Sequence, residues 1–208
     1  MKNELNTEFD SWNGVPVYEK CVKDCHAKNL YSIVLKELEN GRLLRLYVVL
    51  AENDLYKNDP KNEAKMSIGF HNHRYDIGLQ VVYGQLTNQV IREAKSDCFY
   101  KRYGFETGMG KGHLEQPKIV FKGMVAVEFA PPQILQKGDF LSLSSDILHS
   151  VNTPKNEMAA WLILEGEVKK DFLPELITNA TLNDSSTQKL YNRPSNAEID
   201  AILQRILK

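Results

Sequence analysis

The feature that most constrains the fold is a series of short apolar or alternating segments in the middle of the chain. They are rich in Val, Ile, Leu, Phe and Tyr, and turn signals such as Asn40-Gly41 and Lys137-Gly138-Asp139 separate them. The segments are residues 31–38, 42–50, 79–91, 118–130, 139–143 and 159–168. Because no long amphipathic helix intervenes between them, the pattern predicts an all-β sandwich or barrel.

The length and composition favour a single folded domain. The 208 residues are 42% hydrophobic and 25% charged, which is enough to form a buried core without disulfide or metal staples. We therefore expect one domain over 1–208, with its barrel core at about 31–168. A short N-terminal helix is predicted over 18–27.

The last part of the chain has a different pattern. In the C-terminal extension, 169–208, residues 171–186 are loop-like. Ser195 and Glu198 then form a capping box ahead of an apolar stripe, which predicts an amphipathic helix over about 195–207. The stripe could pack on the barrel itself or on a second copy of the chain in a homodimer.

The charge balance and the cysteines exclude several classes of protein. Lys and Arg number 26 and Asp and Glu 27, a net charge of −1, so no basic field attracts nucleic acid. No run approaches the roughly 20 apolar residues of a membrane helix, and no signal peptide pattern is present. We expect a cytoplasmic protein in which Cys21, Cys25 and Cys98 are reduced thiols.

Two histidines separated by one residue, His71 and His73, are the first candidate metal ligands. Alternate residues of a strand face the same side, with Cα atoms about 6.6 Å apart, so both imidazoles could bind one ion at about 2.1 Å. Two such histidines are also common on surface strands. The pair alone does not distinguish a metal site from an ordinary strand.

A second motif downstream carries a family resemblance. Gly84 follows the histidine pair, and Gly138 opens a segment that ends at His149. This order resembles the two motifs of the cupin superfamily, in which an HxH strand lies beside a strand pair with a third histidine. The resemblance implies a cupin-type double-stranded β-helix, a jelly-roll barrel with short helical extensions, and a metal site of His71, His73 and His149.

The sequence departs from the common cupin pattern at the carboxylate ligand. That pattern has a glutamate where Ile77 or Gly78 stands here, and the nearest acid is Asp76. Asp76 could swing toward an ion, but an aspartate in a turn more often stays solvated. The ligand set that the resemblance implies is therefore three neutral imidazoles.

Three neutral imidazoles leave a divalent ion with its full charge and with open coordination positions, which favours anionic or chelating ligands. Among cupins this arrangement is similar to that of Fe(II) dioxygenases acting on thiols, diketones or gentisate. Fe(II) is therefore the first expectation, with Zn, Ni or Mn as alternatives. The resemblance implies a non-haem Fe(II)-dependent dioxygenase acting on a small polar organic molecule.

Two other functions remain open. One is a metal-dependent isomerase or hydrolase that uses the ion as a Lewis acid, and the other is a non-catalytic ligand-binding module. The segment 39–50, together with the following HNHRYD and the strand to Gly84, is similar in order to cysteine dioxygenases, which hold a substrate carboxylate with an arginine. That position is Ile33 or Val34 here, so the likeness does not extend to cysteine as a substrate.

Three side chains are candidates for substrate contacts. If the two histidines of the pair point inward, Gln80 on the return strand points inward too and could hydrogen-bond a substrate oxygen, although an amide bonded to backbone fits the pattern equally well. Arg45 and Tyr47 share one face of their strand, and an inward Arg45 would offer a fork for a carboxylate. The alternative is an exposed Arg45, with Leu46 and Val48 in the core.

Overall fold

The computed structural model describes residues 1–24, 29–51, 69–105, 119–154, 156–179 and 192–207. In chain order, the elements within these ranges are α1 (Lys2–Asp10), a 3-10 turn (Tyr18–Lys20), β1 (Val22–Lys23), β2 (Leu30–Glu37), β3 (Leu43–Val49), β4 (Phe70–His71), β5 (Ile77–Tyr83), β6 (Gln85–Glu93), β7 (Phe99–Phe105), β8 (Ile119–Phe129), β9 (Gln133–Gln136), β10 (Phe140–Leu143), β11 (Leu148–Asn152), β12 (Ala159–Glu165), β13 (Glu175–Thr178) and α2 (Asn196–Ile206). Neither of these α-helices is long and apolar enough to span a bilayer.

The strands form two antiparallel sheets. The first sheet has the order β1-β2-β3-β12-β5-β10, and the second has the order β11-β4-β13-β7-β8-β6-β9. In the second sheet β11 also pairs with β6, so this sheet closes on itself. The predicted all-β jelly-roll architecture with terminal helices is confirmed.

The first sheet is buried on both faces, which explains the nearly continuous apolar runs in its strands. One face packs against α1 and α2, and the other faces the second sheet. We call the two sets of buried side chains the outer cluster and the inner cluster. The outer cluster includes Leu5, Leu44, Leu46, Ile199 and Leu203, and the inner cluster includes Val49, Leu79, Val81, Leu86 and Trp161.

The C-terminal helix α2 packs on the barrel of its own chain. Ser195 caps it, since its hydroxyl accepts the backbone N–H of Glu198 at 3.2 Å. The Glu198 carboxylate accepts the hydroxyl of Tyr31 at 2.6 Å, and Tyr18 donates to Asp200 at 2.6 Å. The predicted helix is confirmed, whereas the homodimer stays a prediction.

The N-terminal helix predicted over 18–27 is wrong in the part that the structure describes. Tyr18–Lys20 forms only a 3-10 turn, and Val22–Lys23 is already a strand paired with β2. Pairing with a neighbouring strand overrides local helix propensity here. The helix lies earlier, at Lys2–Asp10, where the polar composition hid the buried Leu5.

Two further outcomes concern the cysteines and the C-terminal extension. Cys21 and Cys98 are free thiols, the first buried and the second exposed, and Cys25 lies outside the described residues.

The segment 171–186 is not all loop, because it contains β13 at Glu175–Thr178. That strand pairs with β4 and β7, contacts between distant parts of the chain that local composition does not reveal.

Candidate metal centre

The three predicted ligands converge in the second sheet. His71, His73 and His149 each offer one ligand nitrogen, and these nitrogens all lie within 4.8 Å of one another. The Nε2 atoms of His73 and His149 are 2.9 Å apart. No carboxylate or thiol among the described residues belongs to this cluster.

Strand pairing brings His71 and His149 together. β4 ends at His71, and in the antiparallel register of β4 and β11 the residue directly opposite is His149. Side chains of directly opposite residues share one face of the sheet, with Cβ atoms about 4.5–5.5 Å apart. Two histidines far apart in the sequence therefore become nearest neighbours.

Asn72 fixes the position of His73. Its side-chain oxygen accepts the backbone N–H of Glu175 at 2.6 Å, which holds this residue against β13 although β4 has ended. His73 follows and donates its own backbone N–H to the carbonyl of Ser145 at 3.0 Å. The rings of His71 and His73 then lie together, with centroids 4.9 Å apart.

The residue before β4 must be a glycine for this arrangement. A Cβ atom at Gly69 would overlap the carbonyl oxygen of Ile177 and lie 2.8 Å from the Cβ of Thr178. The carbonyl of Gly69 also lies 3.2 Å from Nδ1 of His71. Gly69 thus allows close approach to β13 and orients the first ligand.

An asparagine that sequence analysis missed orients the third ligand. Asn88 in β6 is 0% exposed, and its Oδ1 lies 2.8 Å from Nδ1 of His149. Its Nδ2 donates to Oε1 of Gln133 in β9 at 3.0 Å. A signal was present in the sequence, since Asn88 follows Leu86 at the buried positions of an alternating strand.

These contacts orient two of the rings through Nδ1. Carbonyl oxygens only accept, so the Nδ1 atoms of His71 and His149 donate, and the lone pair of each neutral ring is on Nε2. Burial lowers the pKa of His71 below its usual 6.5, which outweighs the opposing effect of the Gly69 carbonyl. A neutral imidazole is the form that binds a metal.

Asp76 does not supply a fourth ligand in this arrangement. Its Oδ1 accepts the ammonium of Lys169 at 3.0 Å and the backbone N–H of Ser145 at 2.7 Å. The hydrogen bond from Lys169 and then that from Ser145 lower the pKa of Asp76 below its usual value of 3.8. Asp76 therefore ties together loops beside the histidines.

The structure separates Gln80 from the histidines. Its neighbours Leu79 and Val81 belong to the inner cluster, whereas Gln80 lines a recess of about 250 Å³ with Asn6 and Phe9 of α1. The predicted inward orientation of Gln80 is wrong. A one-residue error in strand parity moves every side chain to the other face.

Arg45 and Tyr47 do point toward the inner cluster. The ring of Tyr47 stacks on that of Trp161, with centroids 5.6 Å apart. Arg45 is 4% exposed, and it donates from Nε to Glu165 at 2.6 Å and from Nη1 to Ser32 at 3.1 Å. The alternative of an exposed Arg45 is excluded, and the predicted substrate contact stays a prediction.

Tyr75 connects this ion pair to the metal centre. Its hydroxyl donates to Oε1 of Glu165 at 3.0 Å, and its ring stacks on that of His73 with centroids 5.9 Å apart. Burial, followed by the charge of Glu165, raises the pKa of Tyr75 well above 10.0, so the phenol stays a donor. Sequence analysis missed both Tyr75 and Glu165. The signal for Glu165 was a lone acid in an apolar strand.

No protein-family model matches the sequence, and no curated protein sequence matches it. Solved structures with similar folds include the hydroxypropylphosphonic acid epoxidase from S. wedmorenis, at 11% identity and TM-score 0.39, covering 69% of this chain and 53% of that one. A cupin-like protein from Thermotoga maritima has 13% identity and TM-score 0.37, over 77% and 84% of the chains. CENP-C of Drosophila melanogaster bound to CAL1 has 11% identity and TM-score 0.38, over 79% and 98%.

This chain spans about half the length of the epoxidase. Proteins described as cupin-like are thus among its structural neighbours. The architecture itself is established by the strand pairing, and the three imidazoles lie close enough together to be candidate ligands of one ion.

Proposed function

We propose that this chain is a metal-binding cupin, a non-haem Fe(II)-dependent dioxygenase that acts on a small polar organic molecule. The observation that carries the proposal is the convergence of His71, His73 and His149. Two of these rings are held through Nδ1, so Nε2 is the atom of each ring that would bind the ion. Carbonyl oxygens beside ligand histidines are the usual partners that orient such rings.

The donor set fits a first-row divalent ion. Two nitrogens that lie about 2.1 Å from one ion and at right angles are about 3.0 Å apart, and the Nε2 atoms of His73 and His149 are 2.9 Å apart. All three nitrogens lie within 4.8 Å of one another, which exceeds this right-angle spacing by at most about 1.8 Å. Rotation of the histidine rings would have to close that difference when an ion binds. Imidazoles suit iron among other ions.

The surroundings favour a chelating, anionic substrate. A bound Fe(II) would supply one-electron and O₂ chemistry, and its three neutral ligands would leave its charge intact. Among the described residues, charged side chains around the histidines form ion pairs with each other: Arg45 with Glu165, and Asp76 with Lys169. Arg45 and Tyr47 form the polar part of the substrate wall in this proposal. The apolar inner cluster beside them excludes water.

Metal content is the first test. Protein purified without added metal is analysed for bound elements, alongside the single variants His71→Ala, His73→Ala and His149→Ala. We expect iron in the parent protein and its loss in each variant. Asn152→Ala is the control, since this residue lies on β11 with His149 and its amide bonds to Ser150. Unchanged metal content in the histidine variants would overturn the site.

Oxygen uptake is the second test. Iron-loaded protein is given thiols, diketones and hydroxy-aromatic compounds while dissolved O₂ is measured. Uptake that requires iron and is lost in His149→Ala supports oxygenase chemistry. If the zinc-loaded protein converts one of these compounds without consuming O₂, that result would contradict oxygenase chemistry and favour Lewis-acid chemistry. Protein that takes up no metal would instead favour a ligand-binding module.

A further inference from the structure

The amide of Asn88 lies buried behind the metal centre. Its β6 strand pairs with β11, the strand that carries His149. Asn88 is 0% exposed, and its Oδ1 lies 2.8 Å from Nδ1 of His149, on the side of the ring away from the other ligands. Burying an amide costs free energy unless both of its ends are hydrogen-bonded. Both ends of the Asn88 amide are hydrogen-bonded.

The opposite end of the Asn88 amide is bonded to Gln133. Gln133 is the cross-strand partner of Asn88 in β9, and its Oε1 accepts Nδ2 of Asn88 at 3.0 Å. The donor end of the Asn88 amide is therefore directed to Gln133. The remaining end is a carbonyl oxygen, which only accepts, so Nδ1 of His149 must carry the proton.

We propose that Asn88 is the positioning residue that holds His149 in its Nδ1–H form and so keeps its Nε2 lone pair directed at the ion. The Nε2 atom of His149 faces Nε2 of His73 at 2.9 Å, where the lone pair is needed. The part of this inference that concerns the ion rests on the proposed function. The position of the proton on the ring of His149 does not depend on a bound metal.

An amide rather than a carboxylate at position 88 also affects the charge beside the ion. A carboxylate at this position would hold the same tautomer and would add a negative charge beside the ligand. The neutral amide of Asn88 leaves the charge of the ion for an anionic substrate. Asn88→Asp is therefore expected to keep the ring orientation, because Gln133 can turn its own amide to donate.

The direct test uses metal-free protein at about pH 8, above the pKa of about 6.5 of a histidine in a model peptide. Long-range ¹H–¹⁵N correlation spectra distinguish Nδ1–H from Nε2–H histidines, and the signals of His149 are identified by their loss in His149→Ala. We expect the Nδ1–H pattern in the parent protein. An Nε2–H pattern would overturn the proposal, and this measurement needs no variant of Asn88.

Co(II) binding gives the second readout. Asn88→Ala is expected to bind Co(II) about 10–100-fold more weakly, as is typical when the partner of a ligand histidine is removed. Asn88→Asp should bind at least as tightly as the parent protein. Asn152→Ala, the same substitution on the strand of His149, should leave both the affinity and the tautomer unchanged. Parent-like affinity in a folded Asn88→Ala would contradict the proposal.

The two proposals fail in different ways. A parent protein with the Nδ1–H pattern but without Co(II) uptake would overturn the proposed function and support the role of Asn88 in orienting the ring. Uptake of Co(II) together with an Nε2–H ring would support the site and overturn the role of Asn88. If Asn88→Ala does not fold, the spectrum of the parent protein and the affinity of Asn88→Asp decide.

Discussion

At the scale of single residues, the orientation of the three histidine rings depends on neighbours that are not ligands. His71 is oriented by the carbonyl of Gly69 and His149 by the amide of Asn88. His73 lies between its backbone bond to Ser145 and the stacked ring of Tyr75. Since each ring has a different kind of support, the supports can be removed one at a time.

Gly69→Ala is expected to damage both stability and metal binding. The new methyl group would overlap the backbone of β13, which cannot move aside as a side chain can. Overpacking of this kind costs about 1–3 kcal/mol, measured as a lower free energy of unfolding in urea. Gly104→Ala is the control, because the nearest atoms to its methyl group would belong to the flexible side chain of Lys122, with Cε closest at 2.8 Å. Equal effects of the two substitutions would contradict this explanation.

The buried pair of Arg45 and Glu165 makes a second prediction at this scale. Their side chains are 5% and 8% exposed, so either charge left alone is poorly solvated. Removing one partner of such a pair costs about 3–5 kcal/mol. We expect Arg45→Met and Glu165→Leu each to lower the free energy of unfolding by that amount, and the double variant to lose much less than their sum. Additive losses in the double-mutant cycle would show that the pair is not coupled.

At the scale of elements, local patterns predicted those that are long and buried, and missed those that depend on distant partners. The runs at 31–38, 42–50 and 159–168 became β2, β3 and β12 because apolar β-branched residues suit a sheet buried on both faces. β13 was missed because it is short and pairs with strands that are far away in the sequence.

The candidate site was likewise predicted from the sequence only in part. The spacing of His71 and His73 and the family resemblance together predicted that these residues converge with His149, because the residues of a family motif lie together in the fold. The inward side of β5 was misjudged, since its residues are apolar on both faces and alternation gave no parity for Gln80. The support from Asn88 and Tyr75 depends on contacts between strands, which spacing within one segment cannot reveal.

The attachment of α2 to the first sheet predicts a pH dependence of stability. The hydrogen bond from Tyr31, with Lys23 as a further partner, lowers the pKa of Glu198 below its usual 4.5. A lowered pKa in the folded state means that Glu198 stabilises the fold above about pH 4.5 and that this contribution is lost as the pH falls through the folded pKa. The urea midpoint of Glu198→Gln should therefore lie below that of the parent protein at pH 7.

The difference between the two midpoints should shrink as the pH is lowered from 6 toward 3. Because Asp76 also has a lowered pKa, only the difference between parent and variant isolates Glu198. Glu157→Gln, a substitution of an exposed glutamate, is the control. A constant difference between parent and Glu198→Gln across this range would show that ionisation of Glu198 does not hold α2 in place.

At the scale of the whole molecule, the metal centre lies where the second sheet closes. β4 carries His71 and pairs with both β11 and β13, while β11 in turn pairs with β6. The candidate ligands thus come from two neighbouring strands, β4 and β11, that are distant in the sequence. An ion held by His71, His73 and His149 would cross-link these two strands, whereas the unfolded chain keeps the three side chains apart.

Metal binding should therefore raise the stability of the whole fold. A ligand at 100 times its Kd that binds only the folded state adds about 2.7 kcal/mol, or about 5–11 °C in Tm for a chain of this size. We expect Co(II) to raise the Tm of the parent protein by this amount and a chelator to reverse it, followed by thermal unfolding in the far-ultraviolet circular dichroism. His149→Ala should show no shift and Asn152→Ala the full one. A shift that persists in His149→Ala would locate the stabilising ion elsewhere, because that variant lacks the ligand from β11 that the cross-link requires.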